Sequence, residues 1–290
     1  MEKIKKYRKV TFLCMFIIVT GAIWSLVFYY DAHRNLIIHF FDVGQGDGIF
    51  IELPNHVQVL IDGGPTNAIL SKLGNTMPFW DHTIDLVILT HPHADHLDGL
   101  IDVLKRYDVG MVMDADVPYA SADNAEWRHV LADKKIPIVR AQAGQHIILA
   151  DNALLDILLP AKDFSDAHLK NVHDAMIVSK LLYGSTTALF MGDAEKSLEY
   201  ELVYSKIPLA ADILKVGHHG SKTSSTDEFL RAVHPRVAVI SVGRKNRYGH
   251  PHQEVVDRIT ISGIDLFRTD INGDVEMASD GRRIWKVGSN

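Results

Sequence analysis

Short runs of branched and aromatic residues recur along the chain and predict a protein built mainly from β-strands. The first three runs, at 36–43, 49–53 and 57–62, are separated by GQGDG and by Pro54-Asn55, which predicts a β-meander with a flexible turn at GQGDG. Further strand-like runs lie at 84–90, 111–117, 135–141, 146–152, 153–160, 176–182, 186–193, 212–217, 236–243, 263–270, 274–279 and 282–287.

Helices are predicted between these strands, over 96–106, Ala194–Ser205 and Thr226–Val233. Because strands dominate and helices alternate with them mainly in the second half, the pattern favours two packed sheets with helices on the outside. No linker long enough to split the chain follows residue 35, so residues 35–290 are predicted to form one domain.

The amino-terminal segment differs from the rest of the chain. Residues 10–30 are uncharged and mostly apolar, which is enough length for a helix to span a bilayer, and residues 1–9 carry a net charge of +4. We therefore expect a cytoplasmic basic tail at 1–9, a single transmembrane anchor at 10–30 and a domain outside the cytoplasm, held at the cell membrane. The alternative is a cleaved signal peptide, whose apolar region is usually shorter and followed by a small-residue cleavage site that is missing here.

Composition limits the chemistry of the remaining chain. The net charge of −6 leaves −10 for the part from Asp31 onward, which argues against extensive binding to duplex nucleic acid. Cys14 is the single cysteine, so intramolecular disulfides and thiolate-rich zinc sites are excluded.

The most informative stretch is VILTHPHADHLDGL, residues 87–100, in which an apolar strand runs into four metal-binding side chains. The four are His91, His93, Asp95 and His96. A strand end is a rigid support, and a short loop there can direct several side chains at one point. Imidazole nitrogen and carboxylate oxygen suit zinc or manganese, so the spacing predicts a metal site.

The motif T-H-x-H-x-D-H after a hydrophobic strand resembles the signature of the metallo-β-lactamase fold hydrolases. More narrowly, residues 39 to about 278 resemble the metallo-β-lactamase-like domain of the ComEC competence proteins. The matching stretches are FFDVGQGDGIFIEL, LIDGG, LTHPHADHLDGL, LFMGDAE, DILKVGHHGSKTS, VISVGRKNRYGHPH and RTDINGDVEM. The large multi-span region of those proteins has no counterpart here, so the resemblance is to a domain.

The resemblance implies an α+β protein, an αββα sandwich with two divalent metal ions, Zn²⁺ or Mn²⁺, at one edge. It implies that His91 and His93 bind the first ion, that Asp95 and His96 belong to the second, and that Asp193 bridges both. Two such ions can activate water and stabilise the attacking and leaving oxygens. Asp62 is expected to orient a ligand histidine, or else to be a turn residue before two glycines.

Other ligand positions stay open. His173 lies 20 positions before Asp193, where the broad superfamily has a histidine, and Asp174 is its neighbour. Without His173, the first site would be weaker and would favour manganese. One residue of the GHHGS pair should reach the site, and we assign His218 to the metal and His219 to the substrate, without a firm reason to prefer this order.

The loops after the later strands supply further candidates. We assign catalytic roles to Asp95 and His250 and a substrate-binding role to His252. Either of the two histidines could instead complete the second metal site or hydrogen-bond the leaving group. Ser221, Lys222 and Ser224 are candidates to donate hydrogen bonds to a phosphate. A basic groove is predicted from these residues: Lys215, Lys222, Arg244, Lys245 and Arg247. The alternative interpretation of Arg244, Lys245 and Arg247 is an ordinary solvated loop.

These features favour a membrane-anchored, metal-dependent phosphodiesterase or nuclease that acts on DNA at the cell surface. An esterase or lactonase is the second enzyme hypothesis and requires an apolar pocket. A non-catalytic accessory of DNA uptake is the third, and it predicts damaged metal ligands. The expected partners are DNA or another phosphodiester, the membrane and a permease that the sequence does not identify.

Overall fold

The computed structural model of this chain describes residues 2–32, 34–165, 169 and 171–288. Two compact units are present, Met1–Asn35 and Leu36–Asn290. The first contains the helix α1 (Glu2–Ala32). Over the ranges that are described, no helix is long and apolar enough to cross a membrane. The side chains of 2–6, 8, 10 and 27–32 lie outside the described residues, and with them part of the predicted tail and anchor.

The second unit contains two β-sheets. The eight-stranded sheet has the order β15-β14-β1-β2-β3-β4-β5-β6. Its strands are β1 (Leu36–Phe40), β2 (Ile49–Glu52), β3 (Gln58–Ile61), β4 (Thr83–Ile88), β5 (Asp108–Asp114), β6 (Ile138–Arg140), β14 (Val275–Ser279) and β15 (Ile284–Lys286). The seven-stranded sheet has the order β13-β12-β11-β10-β9-β8-β7. Its strands are β7 (His146–Ala150), β8 (Ala153–Leu159), β9 (Val178–Tyr183), β10 (Thr186–Phe190), β11 (Ile213–Lys215), β12 (Val237–Ile240) and β13 (Asp265–Arg268).

Helices cover the outer face of each sheet. They are α2 (Ala68–Thr76), α3 (Ala94–Arg106), α4 (Ala122–Lys134), α5 (Lys196–Tyr204), α6 (Asp227–Val233), α7 (Gln253–Ile261) and α8 (Thr269–Asn272). Side chains of α2, α3 and α4 share a core with the outer face of the first sheet, and those of α5, α6 and α7 with the outer face of the second. A third core lies between the sheets. This arrangement confirms the αββα sandwich.

Alternation along the strands explains the layers. In β1, Leu36, Ile38 and Phe40 point into the core between the sheets. In β10, Ala188 and Phe190 point into the same core, whereas Leu189 packs against the helices. Because both faces of the central strands are buried, their sequences are continuous apolar runs, as expected for strands covered on both sides.

Four helices were not predicted: α2, α4, α7 and α8. In α4 the apolar residues are few, and the best signal is Ser121, whose hydroxyl accepts a hydrogen bond from the Asn124 amide at the first turn. The run at 263–270 was predicted as one strand, but its last residues turn into α8 after Arg268.

The prediction of a flexible turn at GQGDG is wrong. Gly46, Asp47 and Gly48 are buried. A side chain at Gly46 would place its Cβ 2.0 Å from the carbonyl oxygen of Asp95. A Cβ on Gly243 would lie 2.6 Å from the amide nitrogen of Gln45. The glycines therefore permit close packing of this loop between the start of α3 and the loop after β12.

Candidate metal centre

The candidate metal centre lies where parallel strands of both sheets end. In the first sheet β3 and β4 are parallel with Ile61 beside Ile88, so Asp62 and the loop after β4 emerge together. In the second sheet β10, β11 and β12 are parallel and bring three further loops to one edge. Ligand sites are typical of the carboxyl ends of parallel strands, because the loops there converge.

The first cluster consists of His91, His93 and His173. His91 follows β4, His93 precedes the first residue of α3, and His173 lies in a short 3₁₀ turn, Val172–Ala175. The Nδ1 atom of His93 lies 3.0 Å from Nε2 of His91 and 3.3 Å from Nε2 of His173. The structure thus brings His173 beside the other two histidines.

The second cluster consists of Asp95, His96, Asp193 and His219. The Nε2 atom of His219 lies 3.4 Å from Oδ2 of Asp95 and 3.4 Å from Oδ1 of Asp193. The Nε2 atom of His96 lies 3.4 Å from Oδ2 of Asp193 and 3.9 Å from Oδ2 of Asp95. The two clusters adjoin, because the rings of His91 and His96 have centroids 4.2 Å apart.

These separations fit a metal ion. Nitrogen or oxygen ligands about 2.0–2.1 Å from a tetrahedral zinc ion lie roughly 3.3–3.4 Å from one another. Nε2 of His96, Nε2 of His219 and Oδ1 of Asp193 are buried and have no hydrogen-bond partner. Buried polar atoms are normally paired, so unpaired atoms that converge on one point suit a cation.

Hydrogen bonds on the outer nitrogens direct the free nitrogens of the second cluster inward. Nδ1 of His96 donates to Oδ2 of Asp62 at 2.7 Å, and Nδ1 of His219 donates to the carbonyl oxygen of Ser241 at 2.9 Å. Asp62 also accepts from the amide and hydroxyl of Thr90, at 2.8 and 2.6 Å. Asp62 thus occupies the orienting position that the sequence suggested.

The histidine pair after β11 is arranged differently from our assignment. His219, assigned to the substrate, lies in the second cluster, whereas His218 lies with Glu195, 3.3 Å from Nδ1 to Oε1. Nε2 of His218 is 3.9 Å from Oδ2 of Asp193. Both histidines have positive φ, 48° and 52°, a region that non-glycine residues rarely occupy. This backbone turns the two adjacent side chains to different sides of Asp193.

Burial governs the charge of the first cluster. Burial, helped by the charge of His96, holds the pKa of His91 well below its usual range. Burial also lowers the pKa of His173 to about 4, although Asp193 opposes this shift. The imidazoles of the first cluster are therefore neutral at neutral pH, which is the form that binds metal.

Carboxylates govern the second cluster. Burial opposes the charged form of His219, but Asp193 raises the pKa of His219 well above its usual range. Burial also opposes the charged form of His96, but the negative charges of Asp193 and, to a smaller extent, Asp62 raise the pKa of His96 well above its usual range. Burial would also raise the pKa of Asp95, yet the charges of His96 and His219 lower it to about 2. Without a metal ion, the charge of the carboxylates in the second cluster is thus balanced by protons on His96 and His219. A divalent ion that binds there would displace these protons.

The remaining predicted residues surround this centre. The His250 ring lies 5.5 Å from that of His218 and 5.4 Å from that of His252. Burial, reinforced by His219 and His218, lowers the pKa of His250 to about 4. The side chains of Lys222 and Arg247 are exposed.

Three residues of the predicted phosphate-binding set and basic groove are buried instead. Lys215 is completely buried and pairs with Asp47, so it cannot line a groove. Ser224 is buried and its hydroxyl donates to the carbonyl oxygens of Gly217 and Ser221. Ser221 is also buried, with its hydroxyl 3.0 Å from that of Thr223. These polar groups hold the loop after β11 in shape.

Sequence reasoning missed Asp47 and Glu195. Oε1 of Glu195 lies 4.0 Å from Nδ1 of His173 and accepts a hydrogen bond from the Thr223 hydroxyl at 3.0 Å. Glu195 stands two residues after Asp193 in GDAE, and that proximity was the one available signal. Asp47 stands 44 positions before His91 in a segment that predicted only a turn.

Comparison with known proteins defines the class. Residues 42–244 match the model of the metallo-beta-lactamase superfamily, and the chain belongs to this superfamily. Fold and site together define a metallo-hydrolase of this superfamily, whose members hold divalent metal ions.

Its relatives are competence-related proteins, as the sequence resemblance indicated. The chain is 31% identical over 255 residues to ComE operon protein 3 of Bacillus subtilis, covering 81% of this chain and 32% of that protein. It is 30% identical over 237 residues to competence protein ComA of Neisseria gonorrhoeae, covering 80% of this chain and 30% of that protein. The chain therefore spans about a third of the length of these relatives.

Solved structures support the fold. The metallo-beta-lactamase fold protein YhfI from Bacillus subtilis superimposes with a TM-score of 0.55 at 13% identity, covering 87% of this chain and 100% of that one. Igni18, a metallo hydrolase from Ignicoccus hospitalis, gives a TM-score of 0.55 at 15% identity, covering 84% of this chain and 98% of that one. At these identities the likeness concerns the fold alone.

Proposed function

We propose that this chain is a membrane-anchored, two-metal phosphodiesterase that cleaves DNA at the outer face of the cell membrane. The observation that carries the proposal is the pair of adjoining clusters, the second of which has unpaired ligand atoms that converge on one point. The competence-related names of the relatives support DNA as the substrate. The intact ligand sets count against a non-catalytic accessory.

The metal ions would be Zn²⁺ or Mn²⁺. The three imidazoles His91, His93 and His173 suit zinc, and the mixed set of imidazoles and carboxylates in the second cluster suits either ion. When bound, two divalent ions lower the pKa of water and neutralise charge on phosphoryl oxygens. Metal analysis of the purified protein by mass spectrometry tests this step, and less than one ion per chain would refute it.

The protein's own residues would position the substrate. The exposed Lys222 and Arg247 lie on the loops after β11 and β12, three residues along the chain from His219 and His250, and would hold phosphates on either side of the cleaved bond. Their small number agrees with the charge of −10 on the body, which favours short or single strands over long duplexes. The half-buried His250 is neutral at neutral pH and would hydrogen-bond the leaving oxygen.

A nuclease assay tests the activity. The full-length protein in detergent is incubated with end-labelled single- and double-stranded DNA in the presence of Mn²⁺ or Zn²⁺. We expect cleavage that Asp193→Ala abolishes and that Lys72→Met, in α2, leaves unchanged. Intact DNA with every metal refutes the nuclease, and hydrolysis of simple esters or lactones instead would support the alternative enzyme class.

Anchoring is a separate part of the proposal. The apolar sequence of residues 10–30 supports it, as does the exposure of Phe12, Ile18 and Leu26 on α1. We expect the protein to remain in the membrane fraction after alkaline washing and the carboxyl terminus to be accessible to protease in spheroplasts. Release by alkali would refute the anchor, and protection of the carboxyl terminus would refute the orientation.

A further inference from the structure

A buried ion pair lies beneath the second cluster. Asp47 is 1% exposed and Lys215 is 0% exposed. The ammonium of Lys215 contacts Oδ2 of Asp47 and donates to the carbonyl oxygen of Gly192 at 2.9 Å. Neither charge has a role in the proposed chemistry, so their presence in the interior requires a reason.

The carboxylate faces the outer side of the cluster histidines. Oδ1 of Asp47 is 3.5 Å from Nδ1 of His219, and Oδ2 is 3.9 Å from Nδ1 of His96. These nitrogens point away from the position on which the unpaired Nε2 atoms converge. A carboxylate there favours the tautomer with hydrogen on Nδ1, which leaves Nε2 free to bind an ion.

The ammonium fills a place that would otherwise suit a cation. Asp47, Asp62 and His96 form a third group of converging donors, and all three are buried. Lys215 already supplies a positive charge to this group through Asp47. The positive charge of Lys215 therefore neutralises the negative charge of Asp47 behind the second cluster. A third metal ion is not needed there.

The pair also joins the two sheets at the centre. Asp47 belongs to the loop between β1 and β2 of the first sheet, and Lys215 is the last residue of β11 in the second. The amide of Asp47 donates to the carbonyl oxygen of Asp95 at 3.3 Å, so the same loop touches the metal-binding turn. A shift of Asp47 would therefore reach ligands contributed by both sheets.

We propose that Asp47 and Lys215 are positioning residues for the second metal ion. Their ion pair holds a negative charge behind Nδ1 of His219 and His96, and so reinforces the orientation that the Ser241 carbonyl and Asp62 give to these rings. Burying two charges is costly, and an apolar or neutral pair of similar shape often folds equally well. The inference rests on the two-ion centre proposed above.

The test uses the double variant Asp47→Asn/Lys215→Met, which removes both charges and keeps the shapes of the side chains. The full-length, metal-free protein is titrated with Co²⁺, and the visible spectrum and the heat of binding report each ion. We expect a folded protein that binds the first ion as the wild type does and the second about 10- to 100-fold more weakly. The control is Lys72→Met/Asp274→Asn, a pair 2.7 Å apart whose carboxylate also accepts from the Asp42 amide.

Unchanged affinity for the second ion in the double variant overturns the inference. If that variant does not fold, Asp47→Glu decides, because it keeps both charges but moves the carboxylate relative to His219 and His96. Weaker second-ion binding by Asp47→Glu supports the inference, and wild-type binding overturns it. A wild-type protein that binds fewer than two ions refutes the two-ion centre, and the inference with it.

Discussion

Asp62→Asn is the sharpest test of how the second cluster is oriented. Asp62 is completely buried and has a φ of 59°, which asparagine tolerates nearly as well as aspartate. Its oxygens accept from the Thr90 amide, the Thr90 hydroxyl and Nδ1 of His96, at 2.8, 2.6 and 2.7 Å. The substitution changes one acceptor into a donor and leaves the shape of the side chain the same.

The magnitude follows from these three contacts. An amide in one orientation presents its NH₂ to Nδ1 of His96, and in the other it presents NH₂ to the Thr90 amide. Either way a buried donor loses its partner, which costs about 1–3 kcal/mol of stability. In the first orientation His96 carries its hydrogen on Nε2, so affinity for the second ion falls about 10- to 100-fold. A comparable reorientation of a histidine underlies the effect of such substitutions in catalytic triads.

The assay combines urea unfolding of the metal-free protein with Co²⁺ titration. Asp212→Asn is the matched control, since Asp212 also accepts from the amide and hydroxyl of a threonine, Thr187, at 2.9 and 3.3 Å, but its recorded partners include no histidine. We expect both variants to be destabilised and only Asp62→Asn to bind the second ion more weakly. Equal metal affinity of Asp62→Asn and the wild type would refute the orienting role.

Three further predictions address other parts of the site. His219→Gln should lower the metal content by one ion per chain, whereas His218→Gln should keep both ions, as measured by mass spectrometry; the opposite result would reverse their roles. Gly46→Ala should weaken binding of the second ion, because its Cβ would lie 2.0 Å from a carbonyl oxygen of α3. Gly44→Ala should leave that binding unchanged, because Gly44 also has a positive φ but a Cβ there would meet nothing within 4 Å, and equal metal affinities of the two variants would contradict the packing argument. Burial and neighbouring aspartates raise the pKa of Asp98 from 3.8 to about 6, so its charged form opposes folding above about pH 6. Asp98→Asn should stabilise the metal-free protein by about 1 kcal/mol at pH 8, because solvent partly screens this half-buried side chain, and urea unfolding should show no gain below about pH 4.

The sequence by itself determined the layers and the location of half the site. Short continuous runs of branched residues are typical of strands that are buried on both faces of a sheet. The runs from Leu36 to Leu53 and from Ile84 to Thr90 therefore predicted strands inside a covered sheet. His91, His93, Asp95 and His96 lie within six residues, so one loop must bring them together. The sequence pattern is enough to predict a site where the residues that form it are close together in the chain.

The tertiary structure decided everything that depends on direction or on distant partners. Whether His218 or His219 faces the second cluster depends on a turn in which both have positive φ, and no periodicity encodes that turn. Lys215 was predicted to line a basic groove, because lysine is rarely buried unless it is paired. Its partner Asp47 lies 168 positions away on the other sheet, and only the packing of the two sheets brings the pair beneath the metal ligands.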